Sequence, residues 1–254
     1  MPEGSTRLTD KVVLVTGATG GIGVDIVTRL ASEGASVIVT DVDQSACDAA
    51  VHALERPASH LACALDITDE EQWAATLALV ENRHGTLDAV VNNGAIGSLA
   101  TVVDETVEQY RRVVEVSQTC TWLGMKHAGA MIERTGGGSV VNICSILGSV
   151  GGLGNSIAYA AAKGAVRTMT KNAALHWARL GVRVNSIHPG FIATPPLLAR
   201  YEGTPRHEAM LAGTPMGRLG SGAEVAAAVA FLAGDDARFV TGTELYVDGG
   251  WTAA

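Results

Sequence analysis

The chain alternates short apolar runs with segments whose apolar residues recur at helical spacing. Lys11-Val-Val-Leu-Val-Thr16 is the first run, and it ends in a glycine cluster. From Gly21 to Ser32 an Ala/Val/Leu segment of helical period follows, so the opening reads as strand, turn and helix. Ser36 to Thr40 is the next β-branched run and ends on Asp41; a helix near Gln44 to Leu54 then leads to a strand near Leu61 to Leu65. Further strands are predicted at Leu87 to Val91, Ser139 to Ile143, Arg183 to Ile187 and Glu244 to Val247, with helices between them from about Asp69, Val107, Tyr159 and Ala223. Seven strands alternating with helices predict an α/β fold, a doubly wound parallel sheet flanked by helices on both faces. No repeat or low-complexity linker interrupts the series, which predicts one domain over residues 1–254. Between Gly190 and Gly217 the texture changes: Pro195, Pro196, Pro205 and Pro215 break up short apolar and polar pieces. This stretch is too irregular for an ordinary connection and reads as a substrate lid at about 190–217, with Leu197, Leu198 and Tyr201 on its apolar underside.

Composition fits this picture. A chain of 254 residues with 47% hydrophobic residues, 17% charged residues and 30 glycines can bury parallel strands under Ala-rich helices joined by tight turns. A net charge of -8 without clustered Lys or Arg argues against a nucleic-acid partner. Cys47, Cys63, Cys120 and Cys144 have no paired spacing and the seven histidines are dispersed, so no disulfide framework or metal is expected. Met1 to Asp10 is short and polar, and no run approaches the about 20 apolar residues of a membrane span. A cytoplasmic enzyme with no membrane partner is the expectation.

Chemistry enters with Tyr159 and Lys163. Residues four apart share a helix face, so the ammonium can lie near the phenol and favour its anion. A free phenol has a pKa of about 10, and reaching about 7 requires roughly 4 kcal/mol, which a nearby cation in a partly buried site can supply. Ser145, fourteen residues before Tyr159, is the candidate to hold a substrate oxygen. Thr16-Gly-Ala-Thr-Gly-Gly-Ile-Gly23 lies between the first strand and first helix, where Gly17, Gly21 and Gly23 let backbone N–H groups approach a pyrophosphate. Asp41 ends the second strand, where its carboxylate can accept from ribose hydroxyls and repel a 2′-phosphate. No Lys or Arg follows it to neutralise such a phosphate, which predicts NAD rather than NADP.

In order and spacing these residues resemble the short-chain dehydrogenase/reductase family over almost the whole chain. The resemblance is carried by Thr16 to Gly23, Asp66, Asn92-Asn-Gly-Ala95, Ser145, Tyr159-Ala-Ala-Ala-Lys163, Pro189-Gly190 and Val247-Asp-Gly-Gly250. It implies a Rossmann-type sheet with NAD lying along Gly17, Thr19, Gly21, Ile22, Gly23, Asp41, Val42, Asp66, Ile67, Asn93, Gly94, Ala95, Tyr159, Lys163, Pro189, Gly190, Ile192 and Thr194. It implies further that Ser145 bonds the substrate oxygen, Tyr159 exchanges its proton, Lys163 lowers the Tyr159 pKa and binds nicotinamide ribose, and Thr194 holds the carboxamide. Homotetramers built through Val107 to Arg134 and Tyr159 to Leu180 are also implied.

Two positions depart from the family pattern. Asn92-Asn93-Gly94-Ala95 replaces the usual Asn-Asn-Ala-Gly, and Ser117 stands where the family usually places an active-site Asn. Ser117 is therefore expected to keep a water-mediated relay from Lys163, since Gln118 points about 100° away on a regular helix. Within the family the second half looks most like NAD-dependent secondary-alcohol, cyclic-alcohol and hydroxysteroid dehydrogenases, through Val141-Asn-Ile-Cys-Ser-Ile146 and His188-Pro-Gly-Phe-Ile-Ala-Thr-Pro195. The predicted substrate residues, Ile96, Ile146, Leu147, Leu153, Leu198 and Tyr201, are largely apolar, and no cation in the loops after Ser145 suggests a substrate carboxylate. The expected enzyme is thus an NAD-dependent oxidoreductase of an uncharged secondary alcohol or ketone. The alternatives are a cyclic diol or polyol dehydrogenase and a catalytically impaired NAD-binding regulatory or scaffold protein.

Overall fold

Seven strands lie side by side in one sheet: β1 (Val12–Thr16), β2 (Ser36–Asp41), β3 (Leu61–Ala64), β4 (Ala89–Asn92), β5 (Gly138–Ile143), β6 (Val182–Pro189) and β7 (Glu244–Val247). These come from a computed structural model that describes residues 6–254, so residues 1–5 of the polar amino-terminal segment lie outside the described residues. The order is β3-β2-β1-β4-β5-β6-β7 and every pairing is parallel, as the alternating pattern predicts. The helices between them are α1 (Gly23–Ser32), α2 (Gln44–Ala53), α3 (Glu70–His84), α4 (Val107–Val114), α5 (Cys120–Gly124), α6 (Ala130–Arg134), α7 (Ile157–Trp177), α8 (Pro195–Tyr201), α9 (Pro205–Ala212) and α10 (Gly222–Ala233).

Burial on both faces explains the continuous apolar strands. All five residues of β1 are buried, and successive ones serve opposite layers because side chains alternate across a strand. Val13, Val15, Val37 and Val39 pack with α1 and α10, through Ile26, Leu30, Val225 and Val229. Leu14, Ile38, Val90 and Val140 face the other way, onto Trp73 of α3, Met131 of α6 and Trp177 of α7. Helix starts are fixed by side-chain caps: Asp43 accepts from the N–H groups of Ser45 and Ala46, Asp69 from those of Glu71 and Gln72, and Ser221 forms a reciprocal cap with Glu224.

The strand order determines where a site can form. From β1 the chain builds outward through β2 and β3, then returns to place β4 on the other flank of β1. Connections leaving β1 and β4 therefore diverge and open a crevice at the carboxyl ends of the strands. Two features differ from the sequence pattern. The proline-rich stretch after Pro189 is not irregular, because it folds into α8 and α9, each with proline in its first turn. Proline suits that position, where its missing N–H has no intrahelical partner to lose. Residues 107–134 form a helical run interrupted by π turns at Glu115–Thr119 and Met125–Gly129.

Helix α7 is tied to the sheet by a buried polar chain. The amide of Asn92 donates to Asn142 Oδ1 at 2.8 Å, and the amide of Asn142 donates to Thr170 Oγ1 at 2.9 Å. Replacing Asn142 with Leu leaves the Asn92 amide without that acceptor while Thr170 keeps its bond to Val166 O. The expected result is a loss of about 1–3 kcal/mol in stability, read from the urea midpoint; an unchanged midpoint would show that the chain contributes nothing.

Candidate active site

A cavity of about 630 Å³ occupies the crevice. Of the sequence-predicted cofactor residues, Gly17, Gly21, Ile22, Asp41, Val42, Asp66, Ile67, Asn93, Gly94, Ala95, Tyr159, Lys163, Pro189, Gly190, Ile192 and Thr194 line it. Thr19 and Gly23 do not line it, and they shape the turn instead. Thr19 donates from its N–H and hydroxyl to Asp41 Oδ2 at 3.1 and 2.7 Å, tying the glycine turn to the end of β2. A Cβ on Gly23 would stand 2.1 Å from the carbonyl oxygen of Gly17, so the turn closes only with glycine there. The adjoining loop is sewn to the same turn: Thr16 Oγ1 accepts from the N–H groups of Asn93 and Gly94, and the Asn93 amide donates to the carbonyls of Thr16 and Gly17.

This donor and acceptor set fits a dinucleotide. The bare glycine turn precedes the amino terminus of α1, where backbone N–H groups favour an anion. The Asp41 carboxylate accepts from Thr19 twice and from Val42 N–H at 2.9 Å. A carboxylate has about four lone-pair sites, which leaves Asp41 acceptor capacity and negative charge on the cleft wall. Sequence reasoning missed Gly20, Leu65, Thr68, Arg112, Val116, Ile143 and Cys144 as lining residues. Most of these adjoin predicted positions in the chain. Arg112 does not: it lies one helical turn before Val116, the neighbour of Ser117, and reaches the cleft through tertiary packing.

Ser145, Tyr159 and Lys163 all line the same cavity. Ser145 follows β5 in an extended conformation, and its hydroxyl accepts from Leu147 N–H at 3.1 Å. Tyr159 and Lys163 occupy the first two turns of α7. Lys163 is 1% exposed, and its Nζ donates to the carbonyl of Ile143 at 2.6 Å and lies 5.5 Å from the centre of the Tyr159 ring. Burial pushes the ammonium down to about 8. Burial also raises the Tyr159 phenol above its ordinary value, against the hydrogen bond with Ser145 that lowers it. Desolvation, which disfavours the charged form of each, is the largest influence on both groups.

Ser117 is wholly buried in the π turn that follows α4. Its hydroxyl accepts from Ile96 N–H at 3.0 Å and donates to Ile96 O at 2.7 Å, so the side chain clamps the loop after β4. The π turn also displaces the regular-helix angle used to judge Gln118. Among the predicted substrate residues, Ile96 lines the cavity. Ile146 belongs to the core at 1% exposure, while Leu147 packs beside Gly152. Leu153, Leu198 and Tyr201 do not line the cavity; on α8 it is Leu197 that reaches it. The guanidinium groups of Arg200 and Arg206 lie 5.5 and 5.2 Å from the centre of the Tyr201 ring.

Known proteins resemble this chain along nearly their full length. A family model described as Enoyl-(Acyl carrier protein) reductase matches residues 17–252. The chain is 40% identical to a cyclopentanol dehydrogenase of Comamonas testosteroni, over 97% of this chain and 99% of that one. It is 42% identical to a cis-4-hydroxycyclohexanecarboxylate dehydrogenase of Sinomonas cyclohexanicum, over 96% and 97%. The solved structure of a short-chain dehydrogenase/reductase from Burkholderia xenovorans superimposes with a TM-score of 0.91 at 37% identity, covering 98% of this chain and 99% of that one. With its parallel sheet, crevice and Ser-Tyr-Lys constellation, the chain belongs to the short-chain dehydrogenase/reductase family.

Proposed function

We propose that the protein transfers a hydride between NAD(H) and an uncharged cyclic secondary alcohol or its ketone. The observation that carries this reading is the convergence of Ser145, Tyr159 and Lys163 on one wall of the cleft that also holds Asp41 and the glycine turn. The names of two relatives support a cyclic secondary alcohol, and that of the cyclopentanol dehydrogenase supports an uncharged one. Asp41 supports NAD, since its negative charge would meet a 2′-phosphate. Bound nicotinamide supplies the hydride acceptor or donor and, when oxidised, a positive charge. In the oxidative direction the Tyr159 oxygen takes the alcohol proton, and in the reductive direction it returns one. The Ser145 hydroxyl holds the substrate oxygen, and Lys163 supplies the protein's own cation beside the phenol. Ser117 holds Ile96 against the substrate, and the segment 190–217 acts as a lid through Leu197. Exposed Val107, Trp122, Leu175 and Leu180 on the interrupted helix and at the α7 end support a homotetramer. A cytoplasmic location is part of the proposal; no described helix is long and apolar enough to cross a membrane.

One observation favours a second substrate class. Arg206 Nε is shielded from solvent without a hydrogen-bond partner among the described residues, within the lid and over Tyr201. A hydroxycycloalkane carboxylate would give that guanidinium an acceptor. Comparing kcat/KM for cyclohexanol and for 4-hydroxycyclohexanecarboxylate separates the two. Under this second reading Arg206→Ala lowers kcat/KM for the carboxylate alone, by at least about tenfold or 1.4 kcal/mol.

Replacing Tyr159 with Phe removes the proton carrier. Turnover should fall by about 10²-fold or more while NADH binding, followed by fluorescence titration, is retained; full activity would refute the acid/base role. Replacing Asp41 with Ala should lower the NAD-to-NADP preference in kcat/KM by about tenfold or more, and an unchanged ratio would remove Asp41 from cofactor selection.

A further inference from the structure

β6 carries Ser186 and His188 two residues apart, so both side chains leave the same face of the sheet. The parallel register sets Ser186 beside Glu244 and His188 beside Tyr246 of β7. His188 is wholly buried, and each ring nitrogen has a partner. Nδ1 lies 3.1 Å from the carbonyl oxygen of Ser145. A carbonyl can only accept, so Nδ1 carries the proton. Nε2 is then left as an acceptor 2.9 Å from the Ser186 hydroxyl, which also reaches the Thr243 carbonyl at 3.3 Å, and Ser149 Oγ lies 3.4 Å from Nδ1.

The ring itself is held from behind. It lies 4.7 Å from the Tyr246 ring at a tilt of 35°. The Tyr246 hydroxyl is 2.8 Å from both Glu244 Oε2 and Ser149 Oγ. Glu244 is gripped by Arg167 at 2.7 Å and by Lys171, both on α7. Burial acts to raise the Glu244 pKa, but these hydrogen bonds outweigh it and hold the carboxyl at about 2. The frame behind His188 thus spans β6, β7 and α7, the helix that carries Tyr159 and Lys163.

The Ser145 carbonyl needs such a partner. The β5 to β6 ladder ends with Cys144 N–H donating to Ile187 O at 2.8 Å, so Ser145 is the first residue beyond the sheet. Its carbonyl accepts from Gly148 N–H at 3.0 Å and from His188, which occupies both lone pairs and fixes the peptide plane. The Ser145 side chain thus leaves a backbone held in place, and Leu147 N–H holds its hydroxyl at 3.1 Å. We infer that His188 is a positioning residue for catalysis: through the Ser145 carbonyl it aims the Ser145 hydroxyl at the place where the substrate oxygen meets Tyr159. The inference rests on the role proposed above for Ser145.

The test compares His188→Leu, which removes the donor, with His188→Asn, whose amide can stand near the Nδ1 position. With a cyclic alcohol and NAD, His188→Leu should lower kcat by about 10- to 100-fold while leaving NADH affinity unchanged, and His188→Asn should recover most of the loss. In a Ser145→Ala background the same His188→Leu change should cost nothing further, because the group it aims is gone. Equal losses for Leu and Asn, additive losses with Ser145→Ala, or a parental kcat in His188→Leu would each overturn the inference. Should His188→Leu fail to bind NADH, His188→Gln takes its place: it puts an amide near Nε2 but none at Nδ1, so activity equal to His188→Asn overturns the inference. If the parent itself turns over no alcohol, it is the proposed function that fails.

Discussion

A fully buried ammonium is the constraint to which the active site is built. Lys163 has given up nearly all of its water, and its Nζ is met by the carbonyl of Ile143 at 2.6 Å. Desolvating a charge is costly unless hydrogen bonds replace the lost water. Ile143 ends β5, so its position is fixed by pairing with Ile187 of β6, and Lys163 is fixed by α7 packing beneath the same strands. Cys144 adds a contact from its Sγ to the Lys163 carbonyl at 3.1 Å. The charge therefore sits where sheet and helix cannot move independently.

The same logic governs the polar groups that cross the sheet. Asn92, Asn142 and Thr170 form one buried chain from β4 through β5 to α7. Ser186 and His188 form another, ending on the carbonyl of Ser145. Buried polar groups with every partner present specify one arrangement, because any slip of strand or helix leaves an orphan. The first chain ends on α7, which bears Tyr159 and Lys163, and the second on Ser145 just beyond β5.

Much of this was legible in the sequence, for reasons that differ between elements. Strands covered on both faces must be apolar throughout, so Val12 to Thr16 and Ser139 to Ile143 announce themselves. The glycine turn and Asp41 were legible because backbone approach and a carboxylate at a strand end leave residue types behind. The α8 and α9 prolines misled, since proline both breaks a helix and opens one. Ser117 could be placed near the site, but not its clamp on Ile96, because a π turn shifts the helix register and has no residue signature. Leu197 rather than Leu198 reaches the cleft through the rotation of a seven-residue helix, which local pattern does not set. The Tyr159 and Lys163 spacing reports a shared helix face, whereas the burial that raises the phenol is set by tertiary packing and leaves no mark in the spacing.

Burial raises the Tyr159 phenol, so the proton transfer proposed for it would need the positive charge that oxidised cofactor would bring. Ultraviolet difference titration of the parent against Tyr159→Phe isolates the ionisation of this phenol. Without cofactor Tyr159 should ionise above the free-phenol value of about 10, and saturating NAD should bring it down toward neutral pH. A Tyr159 that already ionises near neutral pH in the absence of cofactor would contradict the account.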